Sequence, residues 1–168
     1  AEATPHPAGT LTNFLLVKIE SGNMPKDNPA LRKMVESFDG KPATPERMKE
    51  AQEAMEAAIV RSARMVVEKK EGPRSTFDAL VRLYESQPNL NIRTSTSIEN
   101  QAYSTPAPLA FVASELAGIT AKTTVLEPTA GNGMLLIGEK IGNSSTNELN
   151  GDRVASLRAQ GFNPTQKD

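Results

Sequence analysis

The chain has 168 residues, and its 19 Lys plus Arg against 20 Asp plus Glu leave a formal net charge of -1; no global positive field draws it onto a phosphate backbone, so any nucleic-acid surface is local or lies elsewhere. Hydrophobic residues at 38% and charged ones at 23% are those of a soluble globular protein, and 4% aromatics with no Trp predict an aliphatic core. Zero Cys and the single His6 exclude disulfides and thiolate metal sites and argue against a metal enzyme, while the lack of an apolar run of roughly 18 residues or of a basic-then-apolar leader leads to the expectation of a cytoplasmic protein without a membrane partner.

Residues 1–9 are rich in Pro and Ala and read as loose. Thr10 caps a helical run through Leu11, Phe14, Leu15 and Ile19 that ends at Gly22. A second helix is predicted from about Asn28, with Pro29 in its first turn and Leu31, Met34, Val35 and Phe38 on one face, stopping at Asp39-Gly40. Thr44-Pro45-Glu46 then opens a long helix that runs to Gly72-Pro73. Its stripe of Met48, Ala51, Met55, Ala58, Ile59, Ser62, Met65 and Val66 reads as core. Its charges, Glu46, Glu50, Glu53 and Glu56 ahead of Arg61, Arg64, Lys69 and Lys70, read as a solvated, dipole-matched face.

A fourth helix is predicted over Ser75 to Ser86, so residues 1–90 form a helical N-terminal region. Polar Asn91 to Asn100 reads as a linker, and the pattern then changes. Pro106 to Gly118 is helical, Thr123 to Glu127 is a strand, Gly133 to Ile141 is helical, Thr146 to Leu149 is a weak strand, Asp152 to Gln160 is helical, and Asn163 to Asp168 is a candidate third strand. Such alternation predicts an α/β fold: the helical region followed by the first part, about three parallel strands with crossover helices, of a Rossmann-like domain over residues 101–168.

The chemistry is concentrated in Glu127-Pro128-Thr129-Ala130-Gly131-Asn132-Gly133. A strand ends in an acid, turns through Pro and passes two glycines, which let a ligand lie against the backbone at the carboxyl edge of the first strand. A dinucleotide site would place a third Gly or Ala where this chain has Leu136. Glu127 would also repel a pyrophosphate, whereas it suits the ammonium and sulfonium of S-adenosylmethionine.

This segment resembles the cofactor motif of class I amino-methyltransferases, in which an acid and a Pro precede a Gly-x-Gly turn. Upstream, Gln101-Ala102-Tyr103-Ser104-Thr105-Pro106 resembles the segment that DNA adenine methyltransferases of the same motif order place before the first strand. Motif order and the Ala-Tyr-Ser-Thr-Pro wording are also similar to very large phage and plasmid proteins with a methylase-like domain. The resemblance implies that Tyr103, Thr105 and Pro106 close over the methionine part of S-adenosylmethionine. It further implies that Glu127, Pro128, Ala130, Gly131, Asn132 and Gly133 cradle the cofactor, Glu148 binds the ribose hydroxyls and Asp168 accepts from the adenine amino group.

The family's Asn/Asp-Pro-Pro-aromatic element, which holds the target amine, has no counterpart; Asn163-Pro164-Thr165 lacks the second Pro and the aromatic. The expectation is therefore a cofactor-binding portion of a longer DNA adenine methyltransferase, inactive alone, with DNA engaged through the rest of the parent protein. Two alternatives stay open: a methyltransferase acting on RNA or protein, and a non-catalytic assembly module whose working part is the helical region.

Overall fold

A computed structural model describes residues 10–69, 71–90 and 104–168. The described chain is α/β and mostly helical, with one small parallel sheet. Four helices come first: α1 (Leu11–Glu20), α2 (Asn28–Asp39), α3 (Pro45–Glu68) and α4 (Pro73–Ser86). Each of the first three starts on a side-chain cap. Thr10 accepts from the Asn13 amide, Asp27 from the Ala30 amide at 2.8 Å, and Thr44 from the Arg47 amide, satisfying amides that a helix N-terminus otherwise leaves without partners. Gly40 ends α2 in the left-handed region at φ 72°. The fourth helix begins two residues before the expected Ser75, at Pro73, whose missing N–H costs nothing in a first turn.

Helix α3 is the spine. Its first half packs Met48, Ala51, Met55, Ala58 and Ile59 against Leu15 and Ile19 of α1 and Leu31 and Val35 of α2, in an aliphatic cluster. Full burial of Leu15, Leu31 and Met55 is worth roughly 1.5–3 kcal/mol for each side chain. The second half turns another face, Val60 and Ala63, toward Leu80 of α4 and toward Ala107, Ala110 and Phe111 of α5 (Ala107–Leu116). Met65, expected in the core stripe, is 40% exposed, because the stripe shifts from the α1 side to the α4 and α5 side as the helix passes between them. This second cluster draws on residues from both sides of the expected linker, which itself lies outside the described residues.

Strands β1 (Val125–Glu127) and β2 (Ser144–Thr146) pair in parallel, Val125 opposite Ser144 and Glu127 opposite Thr146. Helix α6 (Gly151–Ala159) follows, its N-terminus capped by Asn150. Two expectations are corrected here. Strand β2 sits two residues earlier than Thr146 to Leu149. Residues 163–168 add only a single parallel bridge, Thr165 to Asn147, in place of a third strand. Pro164 has no N–H to offer a ladder, and the Asn147 side chain takes the next backbone groups instead, accepting from the Lys167 amide at 3.0 Å and donating to its carbonyl at 2.9 Å.

The helix expected over Gly133 to Ile141 is one 3-10 turn, Met134–Leu136. It has no side-chain cap, and the backbone at Gly138 runs so close to α5 that a Cβ there would overlap the Ser114 hydroxyl. A regular helix would move this close contact. The 3-10 turn instead sends Ile137 into the second cluster and Leu136 into a third one with Ala130, Leu157 and Phe162.

Candidate functional site

The glycine turn leaves the C-terminal end of β1 and is tied to the end of β2. The Ala130 amide donates to the Asn147 carbonyl at 2.9 Å, and the Asn147 side chain donates to the Pro128 carbonyl at 3.1 Å. Both glycines have positive φ, 55° at Gly131 and 91° at Gly133, a conformation costly for residues with a Cβ. Their surroundings differ. A Cβ on Gly133 would come within 3.2 Å of Leu157 Cδ2, so this glycine lets α6 pack against the turn. A Cβ on Gly131 would meet only Arg153 Nη1, at 3.9 Å. Gly131 is thus the bare backbone that a ligand can approach.

Glu148 stands on this turn. One carboxylate oxygen accepts from the Gly131 amide at 2.7 Å and the other from the Asn150 amide at 2.8 Å. The amide that an anion would use is therefore already bound to a carboxylate. Glu127 folds onto its own turn, accepting from the Thr129 amide and hydroxyl at 3.0 and 3.2 Å. Pro128 is exposed, while Ala130, Asn132 and Gly133 are buried.

The remaining expected residues are spread more widely. Thr105 and Pro106 are half-buried at the start of α5, where the Pro106 carbonyl accepts from the Ala110 amide. Tyr103 lies outside the described residues. Asp168 is exposed at the end of the segment carrying the Thr165 bridge. Among the described residues no group of His, Asp or Glu is placed to hold a metal ion, and no helix is long and apolar enough to cross a membrane.

A hydrogen-bonded network that the sequence does not announce lies against the turn, joining Arg153 and Gln160 of the C-terminal segment to Asn132 and to Glu53 and Glu56 of α3. Arg153 of α6, 4% exposed, donates through Nε and Nη2 to the Glu53 carboxylate at 3.1 and 3.3 Å, and through Nη2 to Glu56 at 3.3 Å. The Asn132 side-chain amide donates to both glutamates at 3.4 Å, and Gln160 donates to the Asn132 carbonyl at 2.9 Å. Burial opposes the charge on Arg153, but Glu53, Glu56 and Glu148 outweigh it and raise the pKa of its guanidinium. Burial raises the Glu56 carboxyl above its ordinary value, with the Glu53 charge adding to it and the hydroxyl of Ser104 working against it. Glu53 and Glu56 were expected to be solvated. What could have marked them is Arg153, a cation in the first turn of a helix, where the dipole disfavours it unless carboxylates face it.

The turn is therefore walled by acids, Glu127 and Glu148 on the strand side and Glu53 and Glu56 on the helix side, against one guanidinium already paired. Such surroundings disfavour phosphate and favour a cation or a hydroxyl-rich group. Set against known protein families, curated proteins and solved structures, the chain matches none of them.

Proposed function

We propose that this chain is the S-adenosylmethionine-binding portion of a class I, Rossmann-like methyltransferase directed at the adenine amino group of DNA. The observation that carries this reading is the Glu148 carboxylate on the Gly131 amide at 2.7 Å. It joins an acid from the end of the second strand to the bare glycine at the end of the first, the pairing that a ribose-bearing cation needs and a pyrophosphate does not. The sequence resemblance of the Glu127 to Gly133 segment, and of Tyr103 to Pro106 upstream, supplies the family and the DNA target.

The fit of the cofactor rests on this chain's own residues. Gly131 leaves room against the backbone, Glu148 offers carboxylate oxygens to ribose hydroxyls, and Glu127 adds negative charge beside the turn. When bound, the cofactor supplies a methyl group activated by its sulfonium. Tyr103, Thr105 and Pro106 would cover its methionine end and Asp168 its adenine. Holding the target amine belongs to a Pro-Pro-aromatic element that this sequence does not contain, so the proposed work of the chain is binding and orienting the donor.

Calorimetric titration of the whole chain with S-adenosylmethionine and with S-adenosylhomocysteine tests the reading. Binding that Gly131→Leu abolishes supports it; no heat with either compound, or displacement by inorganic phosphate, overturns it. A second reading, a non-catalytic assembly module, draws on one surface. Phe77 of α4 and Phe111, Val112 and Leu116 of α5 line an open apolar groove of about 370 Å³, with Leu116 84% exposed. It predicts no heat with either sulfur compound and self-association that Leu116→Ser removes.

A further inference from the structure

Glu56 lies on a helix that ends more than fifty residues before the glycine turn, yet one of its oxygens, Oε2, receives three donors from three different segments. The Ser104 hydroxyl donates to it at 2.5 Å, the Asn132 side chain at 3.4 Å and Arg153 Nη2 at 3.3 Å. Ser104 belongs to the segment ahead of α5, Asn132 is the central residue of Gly-Asn-Gly, and Arg153 lies in the first turn of α6. Glu53, one helical turn earlier, takes the other Arg153 bonds.

The side chains in this network leave few alternatives to the turn. Asn132 and Arg153 are 6% and 4% exposed, so neither can exchange its partners for water without leaving the interior. Asn132 is also gripped from its other end by Gln160 on its carbonyl. Fixing the Asn132 side chain and carbonyl fixes the peptide units on both sides of it, and these are the units of Gly131 and Gly133. Glycines alone would leave that backbone free to sample other conformations.

We propose that Glu53 and Glu56 of α3 are positioning residues for the glycine turn: through Asn132 and Arg153 the helical region sets the backbone geometry that meets the ligand. That the ligand is S-adenosylmethionine rests on the preceding reading; that α3 holds the turn does not. The helical region is then a working part of the site, and its removal would leave a turn with the right residues and the wrong shape.

Hydrogen exchange and calorimetry on the full chain separate the two claims. The amides of Ala130, Gly131 and Gly133 each donate a hydrogen bond, so their exchange reports the turn directly. In Glu56→Gln and Glu53→Gln these amides are expected to exchange about tenfold faster, with S-adenosylmethionine affinity falling by about the same factor. Ile59→Val, a buried change on the same helix that removes no hydrogen bond of the network, serves as the control: it is expected to lower the melting temperature while turn exchange and affinity stay within about twofold. Glu56→Asp is expected to restore part of both effects. Unchanged turn exchange in both glutamine variants, or equal acceleration in Ile59→Val, overturns the proposal. A wild-type chain that binds no S-adenosylmethionine overturns the cofactor reading while the exchange comparison still decides the role of α3.

Discussion

Arg64 Nη1 donates to the backbone carbonyl of Glu139 at 2.9 Å and not to the buried carboxylate of the same residue. Both residues are buried, and Arg64 stacks over the Phe162 ring at 5.1 Å. The guanidinium thus joins α3 to the segment after the glycine turn through a carbonyl and a ring, with the Glu139 carboxylate acting on it through charge alone.

Arg64→Met keeps most of the volume and leaves that carboxylate buried without its cation. Losing the donor to the Glu139 carbonyl and the positive charge near the carboxylate is expected to cost about 1–3 kcal/mol. The double variant Arg64→Met, Glu139→Gln removes the stranded charge and is expected to recover part of the loss. Urea unfolding midpoints of the two variants measure the difference; equal midpoints would mean that Glu139 is already neutral at the pH of the experiment.

Burial raises the carboxyls of Glu139 and Glu56 above their ordinary 4.5. Each therefore holds its proton longer in the folded chain than in the unfolded one, so both favour the folded state at low pH and the benefit fades as pH rises from about 4.5 through the folded values. Asp39 has the opposite sign: the Arg47 guanidinium, bonded at 2.9 Å, lowers its pKa below the ordinary 3.8, giving stability that is lost as pH falls. Unfolding free energy measured from pH 3 upward should first rise and then decline. Glu139→Gln is expected to flatten the decline and leave the acid limb in place.

At Gly138 the backbone lies against Ser114 of α5, and an added Cβ would overlap its hydroxyl and stand 3.3 Å from its Cβ. Gly138→Ala is expected to cost about 1–3 kcal/mol, the usual effect of overfilling a packed contact. Adding Ser114→Ala removes the hydroxyl and should return most of that loss. Thermal melting of the single and double variants checks this; a Gly138→Ala chain as stable as the original would show that α5 can move away from the turn.

The same glycine explains what the sequence hides. Met134 to Ile137 has the apolar density of a helix, yet the turn has no side-chain cap and its end lies against Ser114 from a distant part of the chain. The starts of α1, α2 and α3 are readable because Thr10, Pro29 in the first turn of α2, and Thr44 with Pro45 are signals within a few residues of the helix they open, although the cap of α2 is Asp27. The glycine turn was readable for the same reason: its meaning lies in consecutive residues. Glu53, Glu56 and Arg153 were not, because Arg153 meets Glu53 across one hundred residues of chain and nothing local distinguishes those glutamates from a solvated face.

Glu148 and Glu127 flank the turn and should respond differently to loss of charge. Glu148 uses both oxygens, on the Gly131 and Asn150 amides, so Glu148→Gln turns an NH2 toward one of those donors and leaves it unmatched. An unmatched, partly buried amide costs about 1–3 kcal/mol, so this variant is expected to lose stability and S-adenosylmethionine affinity together. Glu127 accepts through a single oxygen from its own Thr129, at the exposed side of the turn. Glu127→Gln can keep those bonds through its carbonyl, and its stability is expected to stay within about 0.5 kcal/mol of the original. Its affinity for the sulfonium compound should fall by more than its affinity for the uncharged thioether, because only the former has a positive charge to lose contact with. Parallel urea unfolding and calorimetry with the two compounds test the split; equal losses for both ligands in Glu127→Gln would mean that its charge does not act on the sulfonium.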